Sequence, residues 1–229
     1  MEEVEISPDG RRAAYTMQRY DRPGRPYTEI WMLDIASGQS NRWTRENEAA
    51  STPRWSPDGR WIAYWGGEAP SEQEPSPHEP VVEHELLSDR GSKLMIARAD
   101  GAGAALLAQA KGTNHDLPRA DTSGLAWSPD GKRIAFLSAT PGPETQDASG
   151  DPRVITRYHY QPSWSEGRTR FTDNRRLHVF VVDIGSKEVR QLTKGTYHEH
   201  SIDWSPDGEE IVFVSNREPD PDRFFNYDI

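Results

Sequence analysis

Trp127-Ser128-Pro129-Asp130-Gly131, followed by Lys132-Arg133-Ile134-Ala135-Phe136-Leu137-Ser138, decides the fold because the chain repeats it. Close copies are Ile6-Ser7-Pro8-Asp9-Gly10, Trp55-Ser56-Pro57-Asp58-Gly59 and Trp204-Ser205-Pro206-Asp207-Gly208. Proline presets φ at the first central turn position, aspartate bonds back to nearby backbone, and glycine takes the positive-φ exit into the next strand. Each copy therefore predicts a hairpin corner between two strands. Asp9, Gly10, Asp58, Gly59, Asp130, Gly131, Asp207 and Gly208 are expected to be structural turn residues rather than ligands, since calcium loops place their oxygens at alternate positions.

Counting outward from the turns gives blade-like units at 1–50, 51–112, 113–195 and an incomplete 196–229, within one partial propeller spanning 1–229. The turn serines lie 49, 72 and 77 residues apart, and insertions at 66–92 and 139–176 account for the longer intervals. The remaining period, roughly 40 to 50 residues, is that of a four-stranded propeller blade. Unit one reads as Arg11–Met17, Glu29–Ile35, the turn at Ala36–Gln39 and Ser40–Thr44. The fold class expected is all-β: a partial β-propeller of four-stranded antiparallel blades, about three and a half of them. Eight tryptophans, 18 glycines and 18 prolines suit short strands joined by polar turns. Trp55, Trp127 and Trp204, at matching places, are expected to pack between blades.

A formal charge of −10 opposes nucleic-acid and anionic membrane surfaces. No cysteine is present, which removes disulfides, thiolate chemistry and sulfur-bound zinc. The start at Met1-Glu2-Glu3-Val4-Glu5 lacks a basic and apolar leader, and no apolar run approaches the roughly 20 residues that span a bilayer, so the expected location is cytoplasmic. No cofactor and no metal are called for. His198-Glu199-His200 has no third ligand at a defined spacing and is expected to be a loop entering the fourth blade. His78, Glu79, Glu83, His84 and Glu85 read as a solvated charge run in the acidic insertion.

The repeats resemble TolB-type, WD-like blades. Arg153-Val154-Ile155-Thr156-Arg157-Tyr158, Asp173 to Asp183, Glu188 to Thr193, and Phe213-Val214-Ser215-Asn216-Arg217 with Asp220-Pro221-Asp222-Arg223 make the chain similar to the amino-terminal propeller of the prolyl oligopeptidase family of serine peptidases, nearest its acylaminoacyl-peptidase-like branch. The resemblance implies a non-catalytic propeller portion that gates access of small peptides to an α/β-hydrolase domain of the same parent protein. That domain carries the Ser-Asp-His triad. The 229 residues contain no Gly-x-Ser-x-Gly nucleophile elbow, so catalysis by this chain alone is not expected. The alternative is a TolB-like protein-interaction module without enzymatic activity. Within the third unit, Arg153, Arg157, Tyr158, Tyr160, Arg168 and Arg170 cluster with Trp164, Phe171, Arg175 and Arg176 in an otherwise acidic chain. Guanidinium groups bind carboxylates bidentately and aromatics give rigid contact area, so a hairpin here is the candidate interface to substrate or to the hydrolase domain. An unfinished ring leaves an open edge, and self-association through it is expected.

Overall fold

A computed structural model describes residues 3–22, 26–70, 92–113, 124–142, 175–218 and 228–229. Its strands are β1 (Val4–Ile6), β2 (Arg12–Arg19), β3 (Tyr27–Asp34), β4 (Ser40–Arg42), β5 (Glu48–Trp55), β6 (Trp61–Glu68), β7 (Ser92–Arg98), β8 (Ala105–Ala110), β9 (Leu125–Trp127), β10 (Arg133–Pro141), β11 (Arg175–Asp183), β12 (Val189–Gln191), β13 (Glu199–Trp204) and β14 (Ile211–Ser215). Three four-stranded antiparallel sheets follow chain order, β1 to β4, β5 to β8 and β9 to β12, while β13 pairs with β14, whose Ser215 also bridges Asp228. The fold is a partial β-propeller. It divides into two compact units, the first holding β1 to β8 and the second β9 to β14. No helix among the described residues is long and apolar enough to cross a membrane.

The corner is closed by more than its proline and glycine. Ser7 N donates to Arg12 O at 2.8 Å, and Gly10 N to Ser7 O at 2.8 Å. Ser7 Oγ accepts from Arg12 N at 3.0 Å and donates to Asp9 Oδ1 at 2.6 Å, while Asp9 Oδ1 also accepts from Arg11 N at 3.0 Å. The same serine-to-aspartate bond recurs at 2.6 Å in Ser56–Asp58 and Ser205–Asp207. The serine hydroxyl is the main reason Asp9, Asp58 and Asp207 sit below the usual carboxylate range. Gly10, Gly59, Gly131 and Gly208 have φ between 68 and 73°, where a side chain is strained.

Within each unit neighbouring sheets are joined in the same way. Trp55 Nε1 donates to Glu5 O at 3.3 Å and Trp204 Nε1 to Ala126 O at 3.1 Å, in each case to the residue two before the preceding turn serine. The guanidinium that opens the preceding sheet's second strand lies over the indole, Arg12 at 4.8 Å from Trp55 and Arg133 at 4.7 Å from Trp204. Around these clamps Ala14, Ile30, Ala50, Trp55, Ile62, Tyr64 and Ala97 form the core of the first unit. Ala126, Ala135, Leu137, Val179, Val181 and Ile202 form that of the second.

Several boundaries differ from the sequence expectation. The strand beside the first insertion runs on to Glu68, and β5 begins at Glu48, ahead of position 51, because Glu48, Ala49 and Ala50 pair with Glu68, Gly67 and Gly66. A glycine-rich, non-alternating stretch gives no strand signal but completes a ladder once its partner is fixed. Likewise Pro141 pairs with Arg175 and Thr140 with Arg176, which takes both ends of the second insertion into β10 and β11.

Candidate functional site

In every sheet the Ser-Pro-Asp-Gly corner joins the first and second strands, so the connection from second to third strand leaves by the opposite end. Both insertions lie in those connections, and the buried charged residues gather at the same end of their own sheets.

In the second unit they centre on Glu199, which is completely buried. Its Oε2 lies 2.7 Å from His178 Nδ1 and accepts from Thr193 Oγ1 at 3.0 Å, and its Oε1 accepts from Arg217 Nη2 at 3.0 Å. Thr193 Oγ1 in turn accepts from Val179 N at 2.9 Å, which ties the group to β11. Ser215 Oγ donates to His198 O at 2.8 Å, and Leu177 N to His198 Nδ1 at 3.3 Å. Of the His-Glu-His run only His198 lies before the strand, as a loop residue entering the fourth blade. Glu199 and His200 open β13, and His198, Glu199 and His200 are all buried. Burial holds His200 below the ordinary histidine value. Polar residues take strand positions here because they face one another and neutralise one another, a pattern that hydrophobic periodicity does not register.

Arg217 is the outward face of this group. Its side chain is 45% exposed and crosses the rings of Tyr197 at 4.8 Å and Phe213 at 5.8 Å, with Glu199 holding it from beneath. Arg176, expected in the insertion hairpin, is instead a buried β11 residue whose Nε donates to Thr196 O at 2.8 Å. The chemistry open to this cluster is limited. Thr193 and Glu199 both address the same ring nitrogen of His178, whereas a nucleophile relay needs hydroxyl and carboxylate on opposite nitrogens. The arrangement fixes a guanidinium at the surface.

The first unit carries a polar cleft of about 350 Å³ lined by Arg19, Asp21, Arg22, Tyr27, Glu29, Arg42 and Glu46. Arg19 grips Asp21 bidentately at 3.2 and 2.8 Å, which lowers the Asp21 carboxyl to about 2. Buried Glu29 lies 3.5 Å from Arg42. Arg22 donates instead to Pro70 O at 2.9 Å and to Asn47 Oδ1.

Arg153, Arg157, Tyr158, Tyr160, Arg168 and Arg170 lie outside the described residues, as do Trp164, Phe171, His78, Glu79, Glu83, His84 and Glu85. The turn residues Asp9, Gly10, Asp58, Gly59, Asp130, Gly131, Asp207 and Gly208 occupy the four corners. The Glu199 cluster was missed by sequence reasoning. Its one legible sign was a histidine, His178, within the apolar run Leu177 to Val182.

No protein-family model matches the chain. Over 222 residues it is 28% identical to the uncharacterized peptidase YuxL of Bacillus subtilis strain 168, spanning 93% of this chain and 29% of that protein. The uncomplexed acylaminoacyl peptidase of Pyrococcus horikoshii superposes with a TM-score of 0.54 at 19% identity, over 90% of this chain and 26% of the peptidase. The β-propeller domain of the Trilobed protease from Pyrococcus furiosus, which has an open velcro topology, gives a TM-score of 0.50 at 17% identity, over 95% of this chain and 49% of that one. The chain thus spans less than a third of the two peptidases first named. It is a partial β-propeller, similar in fold to peptidase propellers and in sequence to a peptidase.

Proposed function

We propose that this chain is the non-catalytic propeller portion of a serine peptidase of the prolyl oligopeptidase type, where it limits entry to small peptides and partners an α/β-hydrolase domain of the same parent protein. The observation that carries the reading is the 222-residue similarity to a peptidase, confined to less than a third of that protein's length. The Glu199 cluster supports a non-catalytic role, because its histidine and hydroxyl converge on one carboxylate. The cysteine-free composition suits a cytoplasmic setting. Arg153, Arg157, Tyr158, Tyr160, Arg168 and Arg170 remain the proposed contact to substrate or hydrolase domain.

The test has two arms. The purified 229-residue chain is incubated with acylated and proline-containing chromogenic peptides. No hydrolysis is expected, and turnover abolished by a serine reagent would overturn the proposal. In the parent protein, Arg157→Ala and Arg170→Ala should change peptide kinetics or domain assembly. A parent lacking any hydrolase sequence would favour the interaction module instead.

A further inference from the structure

We propose that the joint between the first and second sheets is a proton-operated latch: β1 seats most firmly on β5 when Glu5 carries a proton, and the charge of Glu3 beside it is what makes that proton necessary. The inference is independent of the peptidase reading. It rests on two carboxylates carried on the inward face of a strand, at positions where the matching strand of the second unit carries no ionisable group.

Register sets the direction of the side chains. Glu5 lies opposite Ala14 in the pairing of β1 with β2. Thr16 N donates to Glu3 O and Glu3 N to Thr16 Oγ1, both at 3.0 Å, so Glu3 lies opposite Thr16. Ala14 and Thr16 are buried, and Ala14 belongs to the core that it shares with Trp55. Glu3 and Glu5 therefore share the face of β1 that turns to β5. There the register slips between Ser51 and Arg54, with Thr52 at φ 53°, and such a bulge re-aims the side chains around it. Glu5 Oε1 accepts from Trp55 N at 3.1 Å, and its Oε2 from Arg54 Nη1 at 3.3 Å. Glu3 is less well served. Its Oε1 accepts from Thr52 Oγ1 at 3.5 Å, and its Oε2 is closed off from solvent and meets no donor among the described residues.

The charged groups at the joint are Glu3 and Glu5 of β1, Arg54 of β5 and Arg12 of β2, which is engaged with the Trp55 ring and Ala99 O. Ala14 and Thr16 do not titrate. Arg54 thus answers two carboxylates, and a proton on Glu5 leaves one guanidinium to one carboxylate while Oε1 still accepts from Trp55 N. Burial raises the Glu5 carboxyl above its ordinary value and the charge of Glu3 adds to the rise, against the pull of Trp55 N and Arg54. A carboxyl that holds its proton more tightly in the seated strand favours seating at low pH, and that contribution is lost as pH rises through the seated value.

The second unit makes the same joint without these carboxylates. Counted from the turn serines, Gly124 and Ala126 take the places of Glu3 and Glu5. Leu137 N donates to Gly124 O at 3.1 Å as Thr16 N does to Glu3 O, and the Trp204 indole bonds Ala126 O as the Trp55 indole bonds Glu5 O. The bulge recurs, with Ser201 at φ 52°. Trp204 N finds its acceptor on its own strand, Asp203 Oδ1 at 2.8 Å. Backbone and indole suffice to hold that joint, so the carboxylates of β1 add a response to pH rather than the attachment itself.

The Thr16 amide, bonded to Glu3 O, reports the seating of β1, and the Leu137 amide, bonded to Gly124 O, is its matched control. Amide exchange of the intact chain is followed from about pH 7.5 to about pH 5, each rate taken relative to that of an unstructured peptide at the same pH. Thr16 protection should rise on acidification by at least about threefold in all, and by no more than about tenfold per pH unit, the limit for one proton. Glu5→Gln imitates the protonated carboxyl and should already show at neutral pH the protection that the parent reaches in acid, and Glu3→Gln should flatten the profile. The proposal is overturned if Thr16 protection moves in step with Leu137, if it falls on acidification, which would make the Glu5–Arg54 ion pair the fastening, or if Glu5→Gln lowers it. The parent's profile decides the matter even where a variant does not fold.

Discussion

Replacing Glu199 by glutamine keeps the shape of the most deeply buried charged group in the second unit and removes its charge. One carboxylate there serves three partners, with His178 and Thr193 on Oε2 and Arg217 on Oε1. Hydrogen bonds to a charged group contribute about 1.5–3 kcal/mol each, against about 1 kcal/mol for neutral ones. Glutamine retains an acceptor for Arg217, and its amide can donate to His178 Nδ1 if the imidazole carries its proton on the other nitrogen. The loss is then mainly the charge assistance of two buried contacts. The Arg217 contact adds little, because a guanidinium 45% exposed is largely stabilised by water. Together these give about 2–3 kcal/mol for Glu199→Gln. Glu199→Leu leaves His178 and Thr193 without their carboxylate partner and should cost about 3–5 kcal/mol. Urea unfolding followed by tryptophan fluorescence measures both as a fall in midpoint at constant slope. A loss below about 0.5 kcal/mol for the glutamine variant, or a leucine variant as stable as the parent, would refute the view that this carboxylate organises the end of the second unit.

Trp204→Phe removes the indole bond to Ala126 O and weakens the Arg133 contact, and should cost about 1–2 kcal/mol in the same assay. Trp55→Phe should cost a similar amount in the first unit, and a neutral outcome at both would show that the clamps are incidental. Gly10→Ala and Gly208→Ala both force alanine to positive φ, at about 1–2 kcal/mol each. An added Cβ meets nothing near Gly10 but reaches Pro129 Cδ at 3.4 Å from Gly208, so Gly208→Ala should be at least as costly, and a harmless Gly10→Ala would contradict the turn geometry. His200 gives a pH signature. With its folded pKa below that of the unfolded chain, near 6.5, its contribution is present above that value and is lost as pH falls towards the folded pKa. Thermal midpoints measured between pH 7.5 and 5 should therefore fall more steeply for the parent than for His200→Gln, and parallel curves would remove His200 from the account.

The division between what was legible in the sequence and what was not follows the range of the interactions. Ser7-Pro8-Asp9-Gly10 closes its turn with bonds among residues 7 to 12, so four residues and their repetition suffice to place a corner, and four corners suffice for the blades. The serine's part escaped notice because its hydroxyl bonds both Asp9 and Arg12 N, a double role that no propensity encodes. Trp55 and Trp204 were legible as packing residues by position, but not as donors to Glu5 O and Ala126 O, since those carbonyls lie 50 and 78 residues earlier in the chain. Glu199 was the hardest case. Its partners at 178, 193 and 217 come from three segments, and each residue alone reads as surface-like. Strand periodicity assigns polar residues to solvent, and that rule fails where polar groups are buried against one another.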